Sequence, residues 1–377
     1  MAGRLGGKQA APSHPWTPCL RCLPSSLQHQ GAAAAAAAWH RQLCLNVAPL
    51  SAAHCDSLVN AACKGTLDLL RALQLKCEES HPFAVHQVLG VVLGRCRHLT
   101  SLDLSRFLTF SPEPCSVCQK LLAVPPPSQP FAGLRALQLC WWFLPAEQLR
   151  KLRSALSQAL SRLVSLDLEL WRCDADNQPL LVDVCGAALA SGTLREFNIY
   201  SLERMDAANQ ARVACFLQSH HCKLTHLSIE FLTSATSLSS VLAYNSHILQ
   251  LQFSGLWQLG EGRPSSDEIS KLLQVLARLT SLTKLHLSVM APHDPAPALH
   301  HLTRLTELGM RVEQGTAGLR FSNGDAMAEA LQQMPYLRSL RINTLTFQGG
   351  DGNSLPPSVK SRILQGCSEQ LTSLEAS

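Results

Sequence analysis

One six-residue pattern, Leu-x-x-Leu-x-Leu, constrains this chain more than any other feature. It appears as LRALQL at 70–75 and again, letter for letter, at 134–139. Related copies begin at Leu99, Leu163, Leu194, Leu224, Ile248, Leu282, Leu305, Leu337 and Leu371, making eleven in all, 23–35 residues apart. A period of this size marks an array of stacked units, each too small to bury an apolar face alone. Within a copy, the fourth and sixth residues of a short strand face one way and the third, fifth and seventh the other.

The stretches between copies read as helices. In PSSDEISKLLQVLARL, Ser265 and Glu268 have capping-box spacing, and Ile269, Leu272, Leu273 and Leu276 recur with helical period. GDAMAEALQQM places Met327, Ala330, Leu331 and Met334 on one face, and PAEQLRKLRSALSQAL does so through Leu149, Leu152, Leu156 and Leu160. Strand-plus-helix units stacked side by side give a parallel sheet covered by helices. Helices are about 10 Å wide and strands lie about 4.8 Å apart, so the stack must curve with its strands inside.

On these motifs the chain resembles the leucine-rich-repeat family, in its ribonuclease-inhibitor-like or F-box-associated forms. The resemblance implies an α/β solenoid of about eleven divergent repeats, its curved parallel sheet concave and its helices convex. The family's ninth repeat position is usually Asn or Cys. Here it reads Glu78, Phe107, Trp142, Trp171, Leu202, Leu232, Leu256, Met290, Glu313 and Leu345, so the turns are expected to be irregular and Trp142 and Trp171 to join the core.

The expected division is a leader over 1–55 and a solenoid over 56–377. The leader has no Asp or Glu, holds Arg4, Lys8, Arg21 and Arg41, and contains the alanine run 32–38. That bias suits a largely disordered tail or an organelle-import segment, and a helix over 32–45 is expected from the alanines. The stretch PWTPCLRCLPSSLQ…AAAAAAAWHRQL also resembles an F-box through Trp16, Leu23, Pro24, Leu27 and Trp39, although only fourteen residues separate Pro24 from Trp39. This resemblance implies a substrate-recruiting adaptor that meets a cullin-ligase adaptor protein; a cytoskeletal or ciliary scaffold is the comparable alternative that the repeats allow. Two segments, 111–130 and 348–358, interrupt the repeats as proline- or glycine-rich loops. The chain stops inside its last signature, LTSLEAS, which leaves a truncated end or a final strand covered by a partner as the alternatives.

Composition narrows the function. The chain carries 16% charged and 5% aromatic residues and a formal charge of +5, four of it in the leader, which argues against a nucleic-acid reader or a membrane-surface protein. No apolar stretch reaches the ~18 residues of a spanning helix. Many of the fifteen cysteines sit among apolar residues (Cys77, Cys96, Cys185, Cys215), as free thiols do in a reducing cytosol or nucleus. Cys19 with Cys22, and Cys115 with Cys118, have zinc-ligand spacing, but they stand 93 residues apart in two irregular segments and are weak candidates only. DADNQP (174–179) fails as a calcium loop because Pro179 stands where glycine is required and Cys185 where glutamate is. No nucleotide-binding, zincin or serine-hydrolase motif is present, no cofactor is implied, and the chain reads as non-catalytic.

The polar residues of the strands' outward face are the candidate site. The fifth column runs Gln74, Asp103, Gln138, Asp167, Asn198, Ser228, Gln252, His286, Gly309, Arg341 and Glu375. Adding the third and seventh columns makes the first half acidic (Asp103, Asp167, Glu169, Glu196, Glu230) and the second basic (Lys284, His286, Arg311, Arg341), against which Lys76 and Glu307 run. Such a face would orient a protein partner of complementary polarity, with Tyr200 as an anchor.

Overall fold

A computed structural model describes residues 42–46, 70–77, 98–107, 133–142, 150, 159–172, 178–201, 205–219, 223–229, 235–253, 266–288, 295–311, 324–343 and 373–376. Twelve strands form one parallel sheet in strict chain order. They are β1 (Gln42–Asn46), β2 (Ala72–Cys77), β3 (Ser101–Phe107), β4 (Ala136–Trp142), β5 (Ser165–Arg172) and β6 (Glu196–Ser201). The row continues with β7 (His226–Ile229), β8 (Gln250–Phe253), β9 (Lys284–Ser288), β10 (Glu307–Arg311), β11 (Ser339–Asn343) and β12 (Ser373–Ala376). Among the described residues, helices α1 (Gln178–Ala190), α2 (Ala207–Leu217), α3 (Ala235–Tyr244), α4 (Ser266–Ala277), α5 (Ala296–Leu299) and α6 (Gly324–Gln332) link successive strands from β5 to β11. Parallel strands in chain order, joined by helices, make the molecule an α/β solenoid of the leucine-rich-repeat type.

The leucine pattern accounts for the core. The first and fourth residues of every copy from Leu70 to Leu340 are buried, and Leu99, Leu134, Leu137, Leu166, Phe197 and Leu282 have no measurable exposure. Fully burying one such side chain stabilises the fold by roughly 1.5–3 kcal/mol. The helix assignments hold where side chains are described: Ile269, Leu272 and Leu276 of α4 and Met327, Ala330 and Leu331 of α6 are buried. The segment 145–160 lies mostly outside the described residues, though its last two, Ala159 and Leu160, are buried. α5 has only four residues, in a short repeat of 23 residues from Leu282 to Leu305, and its first turn carries Pro295 and Pro297, which that position tolerates.

The sheet begins earlier than composition suggested. β1 lies inside the segment 1–55 and pairs with β2, Leu43 opposite Leu73 and Leu45 opposite Leu75. A twelfth copy therefore exists, disguised because His40 stands where the first leucine belongs. It also puts strand at 42–46, where the alanine-rich stretch led us to expect helix. The remainder of 1–55, the loops 111–130 and 348–358, and most of the ninth column lie outside the described residues; so do the side chains of Trp142 and Trp171.

Polar groups tie neighbouring units together without an asparagine ladder. Each second-position amide donates to the second-position carbonyl one repeat earlier, at 2.7–2.8 Å, in an unbroken row from Arg71 to Arg338. The hydroxyls of Thr100, Thr225, Thr283 and Thr306 donate to the same carbonyls. On the helical side, Gln178 Oε1 accepts from the Asp206 amide (2.9 Å), Arg212 pairs with Asp183 (2.7 Å), and Asn245 donates to the Leu217 carbonyl (2.7 Å). Asp206 caps α2 by accepting from the Asn209 amide, and Gly192, at φ 67, turns the chain out of α1 in the conformation glycine adopts most easily.

Gly186 shows how tightly the first two helices meet. A β-carbon there would stand 2.6 Å from the Phe216 ring of α2. Gly186→Val is expected to destabilise the fold by about 1–3 kcal/mol, as overpacking does. Thermal unfolding checks this, and adding Phe216→Ala should recover part of the loss.

Candidate functional site on the sheet face

Strand pairing turns the fifth column into a physical row. Register places Gln74 beside Asp103, Asp103 beside Gln138, Gln138 beside Asp167, and so on through Asn198, Ser228, Gln252, His286, Gly309 and Arg341 to Glu375. Adjacent parallel strands lie about 4.8 Å apart, so side chains of one column must touch. They do so mainly by hydrogen bonding. The Gln74 amide donates to Asp103, and Gln138, with its amide nitrogen turned toward Asp103, donates to both carboxylate oxygens at 3.1 and 3.2 Å. Asn198 Nδ2 donates to Asp167 Oδ2 at 3.4 Å, and Ser228 Oγ donates to the Tyr200 hydroxyl at 3.1 Å.

The row is half-buried rather than freely solvated, and that changes its chemistry. Burial pushes the Asp167 carboxyl up to about 7. The Asn198 hydrogen bond opposes the rise, while the negative charges of Glu169 and Asp103 add to it. Asp103, Asp167, Glu169 and Glu196 form an acidic pole, of which Asp167 is the member that gains charge across neutral pH. Glu196 also lies 4.0 Å from His226 Nδ1, and Tyr200 sits beside Glu169 in register. Glu230 lies outside the described residues.

The second half differs from the simple basic tract read from the sequence. Glu307 stands between its cations, 3.3 Å from Lys284 Nζ and 3.1 Å from His286 Nε2. Burial holds His286 below its ordinary pKa, Glu307 pulls it up, and Arg341 and Lys284 push it down. Burial opposes ionisation of Glu307 too, but His286 and Lys284 outweigh it and keep that carboxyl below the usual range. With His286 neutral near pH 7, its bond to Glu307 is a hydrogen bond and Lys284 is the lasting counter-charge. Lys284 and His286 are therefore engaged within the face. The His286 ring covers Gly309, where a β-carbon would stand 3.0 Å from Nδ1, so glycine is what lets the ring lie flat. Arg341 follows Gly309 in register; Arg311 lies on β10, and its side chain is not described.

A consequence for stability follows from Asp167. An unfolded aspartate titrates near 3.9. Between about pH 4 and 7 the folded chain keeps a proton that the unfolded chain has lost, so this group's effect on stability worsens as pH rises through that window and levels off above it. Asp167→Asn is expected to raise the urea midpoint at pH 8 and leave it nearly unchanged at pH 4; equal shifts at both pH values would contradict this.

Other candidates fall away or lie elsewhere. Cys185 is buried in α1 and its thiol is pushed up to about 12, so it behaves as a small apolar residue, and the same burial removes it from any calcium loop. Cys215 departs from the expectation: it is a free thiol on the exposed side of α2, because Val213, Ala214 and Leu217 take the buried face. Among the described residues no group of three or more His, Cys, Asp or Glu could hold a metal ion, and no helix is long and apolar enough to cross a membrane. Cys19, Cys22, Cys115 and Cys118 lie outside the described residues.

No protein-family model matches the chain, and no curated protein does. Solved structures do match, among them the leucine-rich repeat-containing protein LegL7 from Legionella pneumophila. It is 16% identical to this chain, covering 78% of it and 90% of LegL7, with a TM-score of 0.40. The class assignment rests on the chain's own sheet and repeat.

Proposed function

We propose that this protein is a non-catalytic scaffold that binds a protein partner on its concave face. The observation that carries the reading is the in-register polar row, which ends the apolar core and presents a pre-formed, hydrogen-bonded surface with an acidic pole at Asp103, Asp167, Glu169 and Glu196. A row whose side chains already hold one another loses little conformational entropy on binding. Residence in the cytosol or nucleus is part of this proposal, on the placement of cysteines among apolar residues in the sequence. Affinity capture with the intact chain, compared with a variant carrying Asp167→Lys, Glu169→Lys and Glu196→Lys, tests the proposal. Loss of specific captured proteins is expected.

A narrower form of this reading makes the protein a substrate-recruiting adaptor of a ubiquitin ligase. It depends on residues 12–48, whose F-box-like stretch runs into β1 at Gln42. Co-purification with a cullin adaptor protein that disappears when 12–41 is removed would support it, and its absence would sink it.

A further inference from the structure

A second surface runs along the edge where the helices end and the strands begin. Nine seven-residue stretches lead into β3 through β11: 94–100, 129–135, 158–164, 189–195, 219–225, 243–249, 277–283, 300–306 and 332–338. None contains Asp or Glu, although the chain has 27 of them; at the matching sequence positions before β2 and β12 stand Asp68 and Glu369. The same stretches supply the exposed cations Arg135, Arg162, Lys223, Arg278, Arg304 and Arg338. The 2.7–2.8 Å amide-to-carbonyl row fixes these turns side by side, so the charges gather into two runs, one before β4, β5 and β7 and one before β9, β10 and β11, with no exposed cation before β8.

Helix ends alone do not explain the strip. Cations favour helix C-termini, but that effect fades beyond the last turn. α1, α2, α3, α4 and α6 have no basic residue in their last turns. The cations stand past those ends, in the turns themselves. A second observation points outward. All four exposed large apolar residues among the described residues, Val164, Tyr244, Leu249 and Tyr336, lie on this edge. Tyr244 and Tyr336 are 64% and 58% exposed, which burial in the solenoid cannot account for. Val164 sits between Arg135 and Arg195 in the amide row, and Tyr336 stands two residues before Arg338.

We propose that this edge is a docking strip for an extended acidic polypeptide segment bearing apolar side chains, separate from the concave face. Arginine and tyrosine are enriched at protein interfaces, and acidic groups on the segment would meet the cations while its apolar groups cover Val164, Leu249 and the two tyrosines. A single-stranded nucleic acid fits less well. It would use the cations but has no aliphatic groups for Val164 and Leu249, and the chain's pI near 8.5 is below that of typical nucleic-acid readers.

Fluorescence anisotropy on the full chain tests the strip with three labelled probes: a short peptide of glutamates interspersed with leucine and phenylalanine, an all-glutamate peptide of equal length, and an oligouridylate of equal length. The mixed peptide should bind saturably and most tightly. Arg135→Glu with Arg278→Glu and Arg304→Glu should weaken it about tenfold or more. Tyr244→Ala with Tyr336→Ala should weaken the mixed peptide and leave the all-glutamate peptide unaffected. Reversal of Asp167 and Glu169 should leave mixed-peptide binding intact or slightly stronger, which separates this strip from the concave face. Equal binding of the two peptides, tighter binding of the oligouridylate, absence of saturable binding, or indifference to the arginine reversals overturns the proposal.

Discussion

Phe197→Ala is expected to cost about 3–5 kcal/mol, the range for removing a large, fully buried ring. Phe197, the fourth residue of its repeat signature and the second of β6, has no measurable exposure and lies beside Leu166 on β5 and Leu227 on β7. A solenoid's stability is a sum of unit and nearest-neighbour terms, so the cavity weakens three consecutive repeats and the two interfaces between them. Urea unfolding should show an earlier transition, and hydrogen exchange should locate the loosening in β5–β7 before the ends of the stack respond. Glu196→Ala, one residue away on the opposite face, should move stability by no more than about 0.5 kcal/mol, as surface substitutions usually do. A small penalty for Phe197→Ala would mean that the leucine columns are not what holds the stack together.

The second large effect concerns binding. Changing Asp167, Glu169 and Glu196 to lysine converts the acidic pole into a basic one without altering a core position. A partner that carries complementary charge should lose about tenfold or more in affinity, about 1.4 kcal/mol, with most of the loss coming from like-charge repulsion rather than lost contacts. Asp167 titrates near 7, so wild-type binding to a basic partner should strengthen between pH 6 and 8 as the pole gains charge. The variant should not show that gain. Raising ionic strength should narrow the difference between the two proteins, because the exposed part of the attraction is screened.

Much of the architecture was legible because leucine spacing reports burial directly. Each copy places apolar residues at the columns facing the helices, and eleven copies left no other economical fold. β1 is hidden in the sequence because His40 stands where every other copy opens with leucine or isoleucine, and only pairing with β2 restores the register. The missing ninth-position asparagines were plain in the sequence, whereas their substitutes were not: threonine at the second position looks like an ordinary surface residue until its hydroxyl meets the carbonyl one repeat earlier.

The candidate site was half legible for a similar reason. Alternation along each strand identified the outward columns, so the membership of the row was readable. What its members do to one another depends on strands about 30 residues apart in sequence. Gln74 and Gln138 clasping Asp103, Asn198 holding Asp167, and the His286 ring over Gly309 all require the register. Glu307 looked like one exception in a basic tract. In the folded chain it engages Lys284 as a counter-charge and His286 as a hydrogen-bond partner, two of the residues that defined the tract, which leaves the acidic pole as the clearer electrostatic feature. Acid-free turns were equally present in the sequence, but they become a strip only when the solenoid lines them up.

The most direct test is the dissociation constant of a captured partner, measured by calorimetry against the intact chain and against the Asp167→Lys, Glu169→Lys, Glu196→Lys variant. If the concave face is the binding surface, the variant binds about tenfold or more weakly and the rim variant Arg135→Glu, Arg278→Glu, Arg304→Glu binds that partner as the intact chain does. Equal constants for the intact chain and the concave variant, with both proteins fully folded, would show that the acidic pole is a solvated surface and that binding takes place elsewhere.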